Sequence, residues 1–410
     1  MFGIIAILIS AAAVSSYINH RFIKLPTTIG LMVIGLSMSL AVVLLSVLGV
    51  DFRSSIGGFL EQIDFSEALM KGMLSFLLFA GALKINLNDL ASQKFIIGAL
   101  ATFGVVAATF IIGTALFFIL KLINLAIPYS YCLVFGALIS PTDPVAVLAI
   151  LKTVKVPKSL ATKIAGESLF NDGIGVVVFI VMAGIAASGG SVSAGHVALL
   201  LVQEALGGVV FGLLLGWIVY RLLKSVDDHS VEVLLTLALV CGGYALAMSL
   251  HISGPIAIVV AGLLIGNYGR QFAMSDSTRD HLDKFWELID EILNAVLFIL
   301  IGFEVLVLSF TMDYFIVGLI AIPVTLAARF ISVWLAITVL KFKREFTRNV
   351  VLILTWGGLR GGISIALALS LSAGQARDLI VSITYIIVVF SILVQGLTIK
   401  SVLRRLLPSQ

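Results

Sequence analysis

Apolar residues along this chain fall into runs of about 20, divided by short polar connections. A hydrocarbon core about 30 Å thick demands helices of that length, so each run predicts a membrane-spanning helix. Thirteen spans are predicted, at about 2–19, 28–48, 65–83, 95–120, 130–151, 160–187, 196–220, 230–250, 253–268, 284–309, 313–340, 347–371 and 379–399. The first opens at Phe2 without a cleavage-like small-residue site, so it reads as a retained helix and not a signal peptide. The chain is expected to be an all-α polytopic membrane protein.

Two of these spans are interrupted near their middles. The fifth carries Ser140-Pro141-Thr142-Asp143-Pro144, and two prolines three apart remove backbone donors and block helix geometry. The twelfth carries Gly357-Gly358-Leu359-Arg360-Gly361-Gly362, whose four glycines free the backbone to leave the helix. Irregular backbone at membrane depth survives only where protein buries it or a wet cavity solvates it. The two breaks lie seven spans apart, so their helices run in opposite directions. That pattern predicts two inverted six-helix repeats, spans one to six and eight to thirteen, with a substrate site between the breaks and the seventh span as linker. The polar stretch from Asn267 to Asp283 is the longest connection and reads as a hinge, and Ser188-Gly189-Gly190-Ser191 as a flexible turn.

Composition agrees. Hydrophobic residues make up 60% of the chain and charged residues 12%, against about 25% charged in soluble domains. Cys132 and Cys241 lie in apolar segments and read as small buried hydrophobes, not a disulfide or metal pair. Of the 26 Lys and Arg, twenty fall on one side of the predicted topology and four on the other, with Arg329 and Arg360 inside spans. The positive-inside rule then places the N-terminus outside and the C-terminus in the cytoplasm.

The chemistry concentrates in Gly166-Glu167-Ser168-Leu169-Phe170-Asn171-Asp172 of the sixth span. A charged side chain at this depth costs about 3 kcal/mol on insertion scales, so it marks function. Asp172 lies about 12 residues into the span, roughly 18 Å at 1.5 Å per residue. Ser168 sits one turn away on the same face, and Glu167 and Asn171 form the neighbouring stripe. A carboxylate beside hydroxyl and amide oxygens suits a small hard cation. Such a carboxyl holds a proton or a cation but not both, and that competition is sufficient for exchange. Thr142 and Asp143 offer a hydroxyl, a freed carbonyl and a second acid. Arg360 needs a carboxylate partner; Glu167 is the expected one, tying the sixth span to the twelfth. Arg329 also needs one, with Asp143 a candidate. Asp290, Glu291 and Asn294 predict a negative inner funnel, Glu304 a position near the outer mouth, and His251 an interfacial one. His229 and His281 are placed in cytoplasmic loops, where histidines titrate near neutral pH.

Ser140-Pro141-Thr142-Asp143-Pro144-Val145-Ala146-Val147, Gly166 through Gly173 and Trp356-Gly357-Gly358-Leu359-Arg360-Gly361 resemble the signature segments of the NhaP/NHE-type cation/proton antiporters. The resemblance covers essentially the whole chain. It implies a homodimer in the plasma membrane, with core helices in 91–190 and 311–410, scaffold or dimerisation helices in 1–90 and 226–310, and a linker in 191–225. It implies Asp172 as the residue that carries cation and proton, with Ser168, Asp143 and the Thr142 main chain as co-ligands. Asn171 stands where electrogenic relatives have a second Asp, so the resemblance implies electroneutral exchange of one proton for one cation. Many relatives carry a Glu in the third span where this chain reads Leu78-Phe79-Ala80-Gly81, so any role of that acid is missing here.

The expectation is a secondary antiporter exchanging Na⁺, or alternatively K⁺ or Li⁺, for H⁺, with no cofactor, no nucleic acid and no organic substrate. An aspartyl intramembrane protease would use two acids sharing a proton, but the Gly-x-Gly-Asp segment of such enzymes is absent and Arg360 has no place in that mechanism. A channel would need a ring of ligands about a symmetry axis, which an inverted repeat around a single site does not supply.

Overall fold

The computed structural model describes residues 2–48, 65–151, 156–188, 194–308, 311–341 and 349–407. Arg53, Lys152, Lys155, Lys343, Arg344 and Arg348 of the charge asymmetry, and the turn at Gly189-Gly190-Ser191, lie outside the described residues. The elements are α1 (Phe2–Ile18), α2 (Thr27–Val47), α3 (Phe65–Leu83), α4 (Leu87–Leu122), α5 (Tyr129–Ile139), α6 (Val145–Leu151), α7 (Lys158–Ala187), α8 (Ala194–Leu223), α9 (His229–Ser249), α10 (Gly254–Leu264), α11 (Asp276–Glu304), α12 (Met312–Lys341), α13 (Val350–Trp356), α14 (Gly362–Leu369) and α15 (Gln375–Leu406). Among the described residues there is no strand, only an isolated antiparallel bridge between Asp143 and Leu359.

Eight helices among the described residues are long and apolar enough to cross a membrane. The other predicted spans are helical too, but short (α1 and α10), interrupted (the fifth and twelfth) or charged in their first half (α11). α8 leaves Leu199, Val202, Leu206, Val210, Leu213 and Trp217 exposed, the surface of a helix solvated by something other than water.

Both interruptions fall where the sequence places them. The fifth span divides into α5 and α6, the twelfth into α13 and α14. The reason at the glycines is space, not an unusual dihedral. None of the four has positive φ. A Cβ on Gly361 would overlap the Asp143 carboxylate, and one on Gly175 of α7 would overlap the Pro141 ring. The close approach of the two breaks to each other and to α7 therefore requires glycine there.

Three expectations need correction. The stretch 267–283 is not an open hinge: α10 runs on through a π turn to Gly269 and Arg270–Phe272, and α11 starts at Asp276. Ser275 caps α11 by accepting from the Thr278 N–H, and Arg270 pairs with Asp283. The first turns of α11 are polar, so hydropathy places its start too late. His229 and His281 accordingly sit on α9 and α11, with ring centroids 4.7 Å apart, and not in loops. Cys241 is exposed on α9, and only Cys132 is buried.

Most buried side chains form one large apolar cluster. A second, separate cluster draws on α4, α6, α7, α12, α13, Leu359 and α15, through residues such as Leu100, Val147, Ile164, Val333, Ile353 and Ile399. This second cluster packs one half of each broken span, α6 and α13, whereas the other halves, α5 and α14, belong to the large cluster.

Candidate functional site

The site is assembled where α7 passes the two breaks. Asp172 lies near the middle of α7 and is 7% exposed. The Thr142 hydroxyl lies 3.1 Å from that of Ser168, and the Asn171 side-chain amide donates to it at 2.8 Å. The Asn171 side-chain oxygen in turn accepts from the Thr142 N–H at 3.3 Å. Proline on each side of Thr142 and Asp143 leaves this backbone without helical partners, and α7 supplies replacements. Ser168, Asn171 and Thr142 are thereby brought together, and Asp172 follows Asn171 directly along α7.

Asp143 adds a second acid. Its Oδ1 accepts from the Val145 N–H at 2.8 Å, starting α6, and its own N–H donates to the Leu359 carbonyl at 2.8 Å. This last contact joins the two breaks directly.

Arg360 does not meet Glu167 as expected. Its Nη1 donates to the carbonyls of Ser140 and Pro141, at 2.6 and 2.8 Å, and its N–H donates to the Ser391 hydroxyl at 2.8 Å. The carbonyls freed by Pro141 and Pro144 are buried acceptors that need donors, and they claim the guanidinium. Glu167 pairs instead with Arg329 of α12, at 2.5 Å between Oε1 and Nη1, both side chains almost fully buried. Asp143 is therefore not the partner of Arg329. Residue types alone show two buried arginines and several acids; which Arg faces which acid depends on helix rotation, which the sequence does not state. Ser391 and Gln395 were not anticipated at all. The Ser391 hydroxyl donates to Gln395 Oε1 at 2.8 Å, and the Gln395 amide donates to the Trp356 carbonyl at 3.1 Å, so α15 braces the glycine break. Their signal was two polar residues one turn apart in an apolar span.

Asp172 and Asp143 line a cavity of about 1640 Å³. Its wall includes Glu287, Asp290, Glu291 and Asn294 of α11, and its mouth Lys24, Lys84 and Lys158. A largely apolar cavity with acidic side chains on its α11 wall therefore joins the lysine-bearing end of the molecule to the buried carboxylate. Asp172 forms no ion pair among the described residues, so its charge is left to a proton or a mobile cation. Ala80, where relatives carry an acid, is fully buried. Glu304 is buried at the far end of α11 and does not line this cavity. No metal-binding cluster of three His, Cys, Asp or Glu occurs among the described residues.

Comparison with known proteins shows the family and the fold. The family described as "Sodium/hydrogen exchanger, transmembrane" matches residues 8–405. The chain is 52% identical to the Na(+)/H(+) antiporter NhaP of Pseudomonas aeruginosa, over 100% of this chain and 98% of that one. It is 34% identical to the Na(+)/H(+) antiporter NhaH of Halobacillus dabanensis, over 98% and 96%. Its fold is similar to the sodium proton antiporter MjNhaP1 of Methanocaldococcus jannaschii at pH 8, with TM-score 0.78 and 21% identity over 100% and 99% of the two chains. The chain is an integral membrane protein of the sodium/hydrogen exchanger family.

Proposed function

We propose that this protein exchanges Na⁺ for H⁺ across the plasma membrane, one for one and without net charge movement. The observation that carries the reading is Asp172: a buried carboxylate that lines the cavity with Asp143, lies on the same helix as Ser168 and Asn171, and forms no ion pair among the described residues. Proton and cation compete for it, and each leaves only when the other arrives. Asp143 and the Thr142 main chain complete the cation shell. Asn171 contributes oxygen without charge, so the site carries one positive charge in each direction, a proton's or a cation's.

Thirteen crossings in two inverted repeats, with the N-terminus outside, are the topology that fits this reading, and the meeting of two oppositely directed broken helices supports it. The apolar cluster that joins α4, α6, α7, α12, α13 and α15 at one end of the breaks is consistent with a core of spans four to six and eleven to thirteen that moves against the scaffold. A homodimer through the scaffold gives that core a fixed frame. Because the cavity opens among Lys24, Lys84 and Lys158, the state described here faces the cytoplasm.

Proteoliposomes decide the matter. Added Na⁺ is expected to drive H⁺ out of loaded vesicles at a rate independent of an imposed potential, and Asp172→Asn to abolish that flux in a folded protein. Cation-dependent proton flux retained in Asp172→Asn overturns the mechanism; a rate that follows the potential overturns the stoichiometry.

A further inference from the structure

Glu287, Asp290, Glu291 and Asn294 follow the i, i+3, i+4, i+7 spacing of one helix face, and all four line the cavity. They are not equivalent. Asp290 Oδ1 accepts from the Asn294 side-chain amide at 2.8 Å, while its Oδ2 lies 2.8 Å from the Lys84 ammonium. Both carboxylate oxygens are thus oriented, and one of them already holds a cation. Glu287 and Glu291 form no ion pair among the described residues. Asp89, the remaining acid of the wall, is engaged by Lys158 at 2.7 Å. Lys84 and Asp290 line the same cavity as Asp143 and Asp172.

An ammonium is a compact, strongly hydrated point charge with no fixed fork geometry. It presents to a carboxylate what a hydrated alkali ion presents. Lys84 is tethered at the end of α3, so it competes at an effective concentration on the order of millimolar. The Asp290 side chain is 23% exposed and the Lys84 side chain 45%, so the pair is open to solvent and can exchange partners.

We propose that Asp290 is the residue that draws cations into the cavity and that Lys84 is its tethered competitor, setting the cytoplasmic cation concentration at which exchange begins. The inference rests on the antiport reading above. While Lys84 holds Asp290, the wall has lost its best-oriented acid and carries a positive charge beside it. A cation entering at sufficient concentration displaces the ammonium, which swings toward the mouth, and passes on to Asp143 and Asp172.

The test is Na⁺-driven proton exchange in inside-out vesicles, where the cavity faces the bath, at fixed ionic strength. Lys84→Gln is expected to lower the apparent KM for Na⁺ about two- to fivefold, the range over which a partly exposed ion pair shifts an equilibrium, with the maximal rate unchanged. Lys84→Arg, which keeps a tethered cation beside Asp290, should not lower the KM. Asp290→Asn, which keeps an acceptor for Asn294, should raise KM, and Lys84→Gln should have no further effect in that background. A purely structural pair would move stability or maximal rate instead. Lys84→Gln with a wild-type KM, or with its full effect in the Asp290→Asn background, overturns the proposal. Should Lys84→Gln fail to accumulate, an unchanged KM in Asp290→Asn overturns it equally. Absence of exchange in the wild type would instead defeat the antiport reading itself.

Discussion

Arg329 and Glu167 face each other at 2.5 Å, one on α12 and the other on α7, each almost completely withdrawn from solvent. Their pairing fastens the helix that carries Asp172 to the wall behind the glycine break. Arg329 Nη2 also reaches the Leu354 carbonyl of α13 at 3.4 Å. Removing one member of a buried pair strands the other charge, at a cost of about 3–5 kcal/mol. Arg329→Ala is therefore expected to lower the melting temperature in detergent sharply, and Glu167→Ala equally so. The double variant should recover part of the loss, because no orphan charge remains. Melting of Arg329→Ala at the wild-type temperature would mean that the pair holds nothing together.

Arg360 belongs to the site's frame in a different way. It satisfies the Ser140 and Pro141 carbonyls and leaves Glu167 paired elsewhere. A hydrogen bond to a charged group contributes about 1.5–3 kcal/mol. Arg360→Ala should release the break just before Thr142 and Asp143, raising the KM for Na⁺ about tenfold or more. Its melting should fall less than that of Arg329→Ala. Arg360→Lys should rescue in part, since an ammonium has donors enough for both carbonyls that Nη1 serves but sits on a shorter side chain. An Arg360→Ala protein with wild-type KM would remove the guanidinium from any role in shaping the site.

The physical grounds of these two predictions differ in how far the sequence discloses them. That Pro141, Pro144 and the 357–362 glycines break two helices follows from missing donors and missing Cβ atoms, and both are properties of residue type. Asp172, Ser168 and Asn171 share a region of α7 because helical spacing is a fixed number. The pairing of Arg329 with Glu167 follows from neither. It is set by the rotation of α12 against α7 and by the prior claim of two orphan carbonyls on Arg360, a three-dimensional competition. The start of α11 escaped hydropathy for a simpler reason: its first turns are polar, and the signal there was the Ser275 cap. Lys84 likewise reads as one more basic residue at a helix end until α11 brings Asp290 to it.

Asn171 holds Thr142 through both of its functional atoms, at 2.8 and 3.3 Å. Asn171→Asp keeps an acceptor for the Thr142 N–H, gives up the amide donor, and adds a carboxylate one residue from Asp172. A site with two titrating acids returns with more protons than the charge of one cation. Exchange by Asn171→Asp is therefore expected to respond to an imposed potential, whereas the wild type does not. Proteoliposomes clamped with a potassium ionophore would read this directly. A variant that exchanges at a rate indifferent to potential would show that Asn171 does not set the stoichiometry.

Competition at Asp172 fixes the sign of the pH dependence. Cation binding releases one proton when the carboxyl starts protonated, so affinity for Na⁺ weakens as pH falls. The apparent KM should rise by about a factor of ten per unit of acidification through the range where Asp172 is protonated, the slope set by one linked proton. At alkaline pH the KM should level off, and the rate should decline because the return step lacks protons. Initial rates against Na⁺ concentration across a pH series measure both limbs. A KM independent of pH, with only the maximal rate changing, would separate the proton from the cation site.

Tyr385 of α15 donates to the Ile301 carbonyl of α11 at 2.9 Å, and the ring is buried. Ile301 is eleven residues past Asp290, roughly 16 Å farther along the helix and away from the cavity mouth. On the proposed division into core and scaffold, the bond joins the two at the end opposite the cavity mouth, and alternating access would require it to break. A neutral hydrogen bond of this kind contributes about 0.5–1.5 kcal/mol. Tyr385→Phe should raise the population of the opposite-facing state by about two- to tenfold, the equivalent of that energy. When the cytoplasm-facing state dominates, such a shift scarcely lowers its own population, so KM at the cavity side should stay near the wild-type value. Affinity measured from the other face is reduced by the small fraction of competent molecules, and there the full gain should appear as a lower KM. Right-side-out and inside-out vesicles separate the two faces. An equal change on both faces, or none on either, would show that Tyr385 supports α11 without taking part in its closure.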